Sequence, residues 1–151
     1  MNKTSNSRRR LIFLAGLLVA VAVATIACVS AEAESATEKA NMKVVSDFIA
    51  SWDDPDQAVT YLSANASVRM VEDEPAVVGR VAVAAAFKGF MTPGMTLTVE
   101  TLSTTAHGPV VLNKRIDTLK TLDKPDQVFP VVGVFVVKDG KITEWVDYLD
   151  K

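Results

Sequence analysis

The chain has 151 residues and is nearly balanced in charge, with 16 basic and 18 acidic side chains, one histidine and one cysteine. At this length one domain is expected, a lone cysteine excludes an internal disulfide, and a lone histidine argues against a histidine-based metal site or a Ser-His-Asp triad. Four of the basic residues and one acidic residue fall in residues 1–33, so the remainder carries 12 against 17 and a net charge of about −5, which argues against a nucleic-acid-binding surface.

Residues 1–33 read as an export signal or an N-terminal membrane anchor. Met1–Arg10 is polar and basic, Leu11–Val29 is an uninterrupted apolar run, and Ser30-Ala31-Glu32-Ala33 supplies the small residues of a cleavage site. Ser7-Arg8-Arg9-Arg10-Leu11-Ile12 resembles a twin-arginine signal. The apolar run is also long enough to stay uncut as a span with the arginines on the cytoplasmic side. A third reading is lipidation at Cys28, which follows Thr25-Ile26-Ala27. In each case this segment enters the membrane at least transiently. The domain, residues 36–151, is then expected outside the cytoplasm, periplasmic, secreted or anchored.

Ser35 and Glu38 have the spacing of a capping box, and Val45, Phe48, Ile49 and Trp52 recur at helical spacing behind it, predicting a helix to about Trp52. Asp54-Pro55-Asp56-Gln57 restarts the chain as a capped short helix carrying Val59 and Leu62. A short strand is expected over Ala66–Val71. Gly79 leads into a helix over Val81–Met91, with Val81, Ala84, Phe87 and Met91 inward, and Pro93-Gly94 stops it. The period then switches to two. Four β-branched runs follow, Met95–Thr104, Pro109–Leu122, Val128–Lys138 and Lys141–Leu149, with His107-Gly108-Pro109 and Asp139-Gly140 as turns. Helices first and an antiparallel meander after define an α+β class. Long strands beside few helices imply a strongly curved, mostly antiparallel sheet whose concave face the helices close into a small-molecule pocket. The element order resembles the nuclear transport factor 2-like (SnoaL-like) cone.

Alternation sorts the strand residues by face. Val111, Asn113, Arg115, Asp117 and Leu119 share one side; Trp145, Asp147 and Leu149 share another, opposite Ile142, Glu144, Val146 and Tyr148. Arg115, Asp117 and Asp147 therefore stand on otherwise apolar faces, where charge is costly unless paired. A guanidinium between two carboxylates can hold them in different protonation states, giving an acid and a base at one pH. A buried ion-pair network kept for structure is the competing reading, although such pairs contribute little net stability. Asn113 either orients Arg115 or sits at the strand's wet end. Glu72-Asp73-Glu74 reads as a solvated loop, and Met70, Met91, Met95, Phe87 and Phe90 as pocket wall or ordinary core.

Gly108-Pro109-Val110-Val111-Leu112-Asn113-Lys114-Arg115-Ile116-Asp117 is similar to the Arg-x-Asp strand of limonene epoxide hydrolases. Val132-Gly133-Val134-Phe135, Asp139-Gly140-Lys141-Ile142 and Glu144-Trp145-Val146-Asp147-Tyr148 resemble their last hairpin, and Phe90-Met91-Thr92-Pro93-Gly94 also fits. The resemblance spans roughly Lys43 to Asp150. It implies that Asp117 protonates an epoxide oxygen, Asp147 deprotonates a water and Arg115 bridges them, without a covalent intermediate. It further implies a small hydrophobic substrate against Val68, Met70, Phe87, Trp145 and Leu149, no cofactor, no metal, and pairing of two copies through the convex sheet face (Ile116, Val146, Tyr148). The family's Tyr-x-Asn pair, which holds the water, falls on Val68-Arg69-Met70, so both of those polar groups are replaced. A lipophile-binding protein and an isomerase or cyclase of the same fold are the alternative functions.

Overall fold

A computed structural model of the chain describes residues 36–90 and 93–149, so the readings of residues 1–33, Ser35 and Met91 lie outside the described residues. The first helix, α1, covers residues 36–50 and buries Val45, Phe48 and Ile49, one stripe at the expected spacing. It stops two residues short of Trp52, where Ser51 donates from its hydroxyl to the carbonyl of Phe48 (2.7 Å). Glu38 accepts a hydrogen bond from the Gly108 backbone (3.0 Å), tying the helix start to a sheet turn. Asp54 caps α2 (Pro55–Ala58) as expected, its Oδ1 accepting from the backbone N–H groups of Asp56 and Gln57, both at 3.1 Å. A 3₁₀ turn, Val59–Tyr61, follows.

Two early elements differ from the sequence expectation. Strand β1 runs Leu62–Arg69, not Ala66–Val71, so Leu62 opens a strand instead of closing a helix. Helix α3 (Arg80–Phe90) turns Val83 and Phe87 inward, and Val81 is 85% exposed. Val81 lies about 200° around the helix from Val83, so burial of one excludes burial of the other. Gly79 enters α3 at φ 93°, a conformation that favours glycine.

The remaining strands are β2 (Val77–Val78), β3 (Met95–His107), β4 (Val110–Thr121), β5 (Gln127–Lys138) and β6 (Lys141–Leu149). The described strands form one mixed six-stranded sheet, curved and unclosed, in the order β2-β1-β6-β5-β4-β3. Among the described strands only β1 and β6 pair in parallel. Asp139 (φ 50°) and Gly140 (φ 69°) both take the left-handed conformation of a tight two-residue hairpin between β5 and β6.

The three helices pack on the sheet's inner face, where Val45, Phe48, Val83 and Phe87 meet Leu62, Ala66, Val111, Phe135 and Trp145 in one core. Ile142, placed by strict alternation on the outer face, is fully buried in that core. The cause is a bulge: Val136 pairs with Glu144 but Val137 with Ile142, leaving Thr143 extra, with its hydroxyl donating to the carbonyl of Val136 (3.1 Å). Ile116, Val146 and Tyr148 stay on the outer face. Among the described residues no helix is long and apolar enough to cross a membrane.

Candidate active site

A cavity of about 320 Å³ opens on the inner face, lined by Trp52, Phe87, Phe90, Phe129, Trp145 and other apolar groups, with Asp117 and Asp147 as its carboxylates. Strands β4 and β6 supply these two acids across β5. Asn113, Gly133 and Asp147 stand in one row across the three strands, with Arg115 one inward step further along β4. Two strand spacings, about 10 Å, separate β4 from β6. A carboxylate on β4 does not span that gap, whereas the Arg115 side chain does. Its Nε donates to both oxygens of Asp117 (3.0 and 3.1 Å), and its Nη2 donates to Oδ2 of Asp147 (2.5 Å). The indole N–H of Trp145 donates to the other Asp147 oxygen, Oδ1, at 2.6 Å.

The guanidinium reaches Asp147 because β5 carries a glycine in its path. A Cβ at Gly133 would lie 2.6 Å from Cε2 of Phe135, 2.7 Å from Nη1 of Arg115 and 3.0 Å from Oδ1 of Asp147. Above the guanidinium lies Trp52, whose ring centroid is 4.9 Å from Cζ of Arg115. Trp52 and Trp145 belong to an aromatic cluster in which Phe48 and Trp145 meet edge to face at 5.3 Å and Phe135 and Trp145 stack at 5.8 Å. Arg115 is 1% exposed and Nη1 has no hydrogen-bond partner. The cation is thus sealed behind the wall, and the two acids face the cavity.

Burial pushes the Asp117 carboxyl above its ordinary value of 3.8, and the Arg115 charge and hydrogen bonds offset only part of that. Burial also pushes Asp147 up. Arg115 and the Trp145 N–H pull it back, and the neighbouring Asp117 adds to the rise. Two interacting acids, each raised above its ordinary value and tied to one cation, have an arrangement that can exchange protons with a bound molecule.

Of the residues expected to line the cavity, Met70, Phe87, Trp145 and Leu149 do so. Val68 does not: it is fully buried in the core, because β1 alternates with Ala66 and Val68 pointing under the helices. Asn113 is 1% exposed, not at a wet strand end, and donates from Nδ2 to the Thr104 hydroxyl (2.9 Å). Glu72 accepts a hydrogen bond from the Leu149 backbone at 3.3 Å. His107 is exposed. Trp52 and Gly133 were missed as site residues. An isolated glycine in the β-branched run Val131–Val137 is the unused signal for Gly133, since such a glycine marks close approach to the backbone. Among the described residues no group of three or more His, Cys, Asp or Glu is placed to hold a metal ion.

A curved sheet with helices on its concave face, and a carboxylate–guanidinium–carboxylate set in an apolar cavity, define a nuclear transport factor 2-like pocket protein with acid–base equipment. The chain belongs to the limonene-1,2-epoxide hydrolase catalytic domain family, whose pattern matches residues 39–151. It is similar to an LEH-like epoxide hydrolase from M. tuberculosis, with 26% identity and a TM-score of 0.67 over 75% of this chain and 84% of that one. The fold is shared with an NTF2-like protein from Burkholderia xenovorans (18% identity, TM-score 0.63, 76% of this chain and 92% of that one). It is also shared with a protein of ketosteroid isomerase-like fold from Catenulispora acidiphila in complex with trimethylamine (15% identity, TM-score 0.62, 70% and 83%). No curated protein sequence matches the chain.

Proposed function

We propose that the protein hydrolyses a small apolar epoxide by concerted acid–base attack of water. The observation that carries this reading is one buried guanidinium bonded to two carboxylates that both face the same apolar cavity. Asp147, as carboxylate, takes a proton from water while the water oxygen bonds to an epoxide carbon. The C–O bond on that carbon breaks, and Asp117, as carboxylic acid, delivers its proton to the departing oxygen. The product is a vicinal diol. The pair ends with its proton moved from Asp117 to Asp147, and solvent exchange restores it. Raised carboxyl pKa values suit both steps: Asp117 holds a proton more tightly than an ordinary carboxyl, and Asp147 is a stronger base than an ordinary carboxylate.

The test is to incubate the purified protein with a panel of cyclic and terpenoid epoxides in ¹⁸O-labelled water. Labelled diol is expected from at least one of them, and its loss in Asp147→Asn and Asp117→Asn. Absence of diol across the panel would overturn the reading. One observation favours a second function: beside the base, Met70 presents a thioether and Val68 is buried, so neither offers a hydroxyl or amide to a water. A protein that binds a lipophile, or moves a proton within it without external water, meets no such deficit. Its signatures are tight binding that survives both substitutions, or deuterium exchange into a ketone without diol. From residues 1–33 we also infer that the reaction takes place outside the cytoplasm, a point that N-terminal sequencing of fractionated cells would check.

A further inference from the structure

The guanidinium alone does not decide which carboxyl is the base. Arg115 gives each acid one N–H: Nε is shared between the two oxygens of Asp117, and Nη2 goes to Oδ2 of Asp147. Burial does not favour Asp147 as the ionised partner either, since it is 5% exposed against 9% for Asp117. On these two influences the proton would settle on Asp147, the more deeply buried acid. The asymmetry comes from the indole of Trp145, whose N–H sits 2.6 Å from Oδ1 of Asp147 and has no counterpart among the bonds to Asp117. We propose that Trp145 is a positioning residue that makes Asp147 the ionised member of the pair, by occupying Oδ1 with an N–H donor and so leaving the proton on Asp117.

The geometry holds the indole in place. Trp145 is two residues before Asp147 on the same inner face of β6, and its ring is fixed by Phe48, Phe135 and Trp52 at centroid distances of 5.3, 5.8 and 5.4 Å. A donor that cannot rotate away stabilises the charged form of its acceptor more than the neutral form. Among the described residues the charged groups bonded to or interacting with Asp147 are Arg115 and Asp117, both from β4. From β5 the inward neighbours are Val131, Gly133 and Phe135, from β1 Val68, and from the residue just after β1 Met70. Glu72, just beyond β1, bonds to the Leu149 backbone two residues on. No other acid or base on these inward positions duplicates the indole.

This inference rests on the acid and base roles proposed above, yet it can be tested without turnover. In the full-length protein, ¹³C-labelled at aspartate side chains, Asp117 is expected to titrate above Asp147. Replacing Trp145 by its benzothiophene analogue keeps the ring shape and removes the N–H, and should raise the Asp147 titration by about one pH unit. Trp145→Phe should give the same direction with added loss of packing. If diol formation is found, the acid limb of its kcat/KM profile should move up by the same amount, giving about a tenfold lower rate below that limb. A residue that only filled space would lower the rate at every pH and leave the limb in place. Asp147 titrating above Asp117 in the unmodified protein, or no shift on removing the N–H, would overturn the proposal. Neither outcome depends on whether an epoxide is the substrate.

Discussion

The two sides of the cavity are built from the same sheet but carry different chemistry. On the β4–β6 side, inward positions mix apolar anchors (Val111, Leu119, Trp145) with polar groups (Asn113, Arg115, Asp117, Asp147), of which Arg115 bonds to both acids and Asn113 to Thr104. On the α1–β1–α3 side, Trp52, Met70 and Phe87 present aromatic and thioether surface, with Val68 behind them in the core. One half holds the acid–guanidinium–acid set, and the half facing it is lined by apolar side chains. The difference teaches that apolar surface makes up most of this cavity's wall and that its charged groups are confined to one edge.

Removing that edge should have the largest effects. Asp147→Asn keeps the volume and deletes the base, so diol formation should fall by roughly 10³-fold, read as kcat with substrate saturating. Arg115→Leu leaves two carboxyls without their cation. Thermal or urea unfolding should show a loss of about 3–5 kcal/mol near neutral pH, since an unpaired buried charge remains or must be neutralised. Equal residual activity in both variants and the parent would show that the edge is structural, and would break the comparison.

The β4–β6 side is also the part of the molecule that its sequence describes best. Period-two alternation with Asp139-Gly140 between long β-branched runs is a local signal, and it places Arg115, Asp117, Trp145 and Asp147 on inner faces without knowledge of the sheet order. What joins them is not local. The row Asn113–Gly133–Asp147 depends on register across three strands, and the gap over Gly133 is visible only when the guanidinium lies in it. Ile142 defeated alternation for a related reason, because a single extra residue at Thr143 inverts the faces. On the other side, Ser63, Ala64 and Asn65 have weak strand preference, so β1 is legible only from its pairing with β6. Trp52 was legible as an apolar helical position, but its stacking on Arg115 was not.

Gly133→Ala probes the join between β4 and β6 with one methyl. The methyl must displace Phe135, Nη1 of Arg115 or Oδ1 of Asp147, and a destabilisation of about 1–3 kcal/mol is expected in an unfolding titration. Activity should fall with it, because two of those three atoms belong to the acid–base set. A smaller effect concerns pH. Both acids are raised in the folded protein, so the native state binds protons more tightly than the unfolded chain between the ordinary carboxyl value and the raised ones. The stability of the parent relative to Asp147→Asn should therefore decline as pH rises from about 4 through that window and level off above it. A relative stability that instead grows with pH would mean that the guanidinium outweighs burial, and that the acids are structural ion-pair partners.

The smallest expected effect tests the contrast between the two sides most directly. Met70 faces the cavity from the chain segment just after β1, beside the strand that carries Asp147. Met70→Asn places an amide there, able to accept from a water that Asp147 would otherwise hold alone, at the cost of one apolar contact to the ligand. One added hydrogen bond of about 1 kcal/mol predicts roughly a fivefold rise in diol formation, with a compensating rise in KM from the lost apolar area. If hydrolysis is limited by how the water is held, kcat and KM rise together. If kcat falls while KM rises, the thioether itself serves the reaction, and the apolar side is matched to a substrate whose own hydroxyl or enol, and not an outside water, gives up its proton to Asp147.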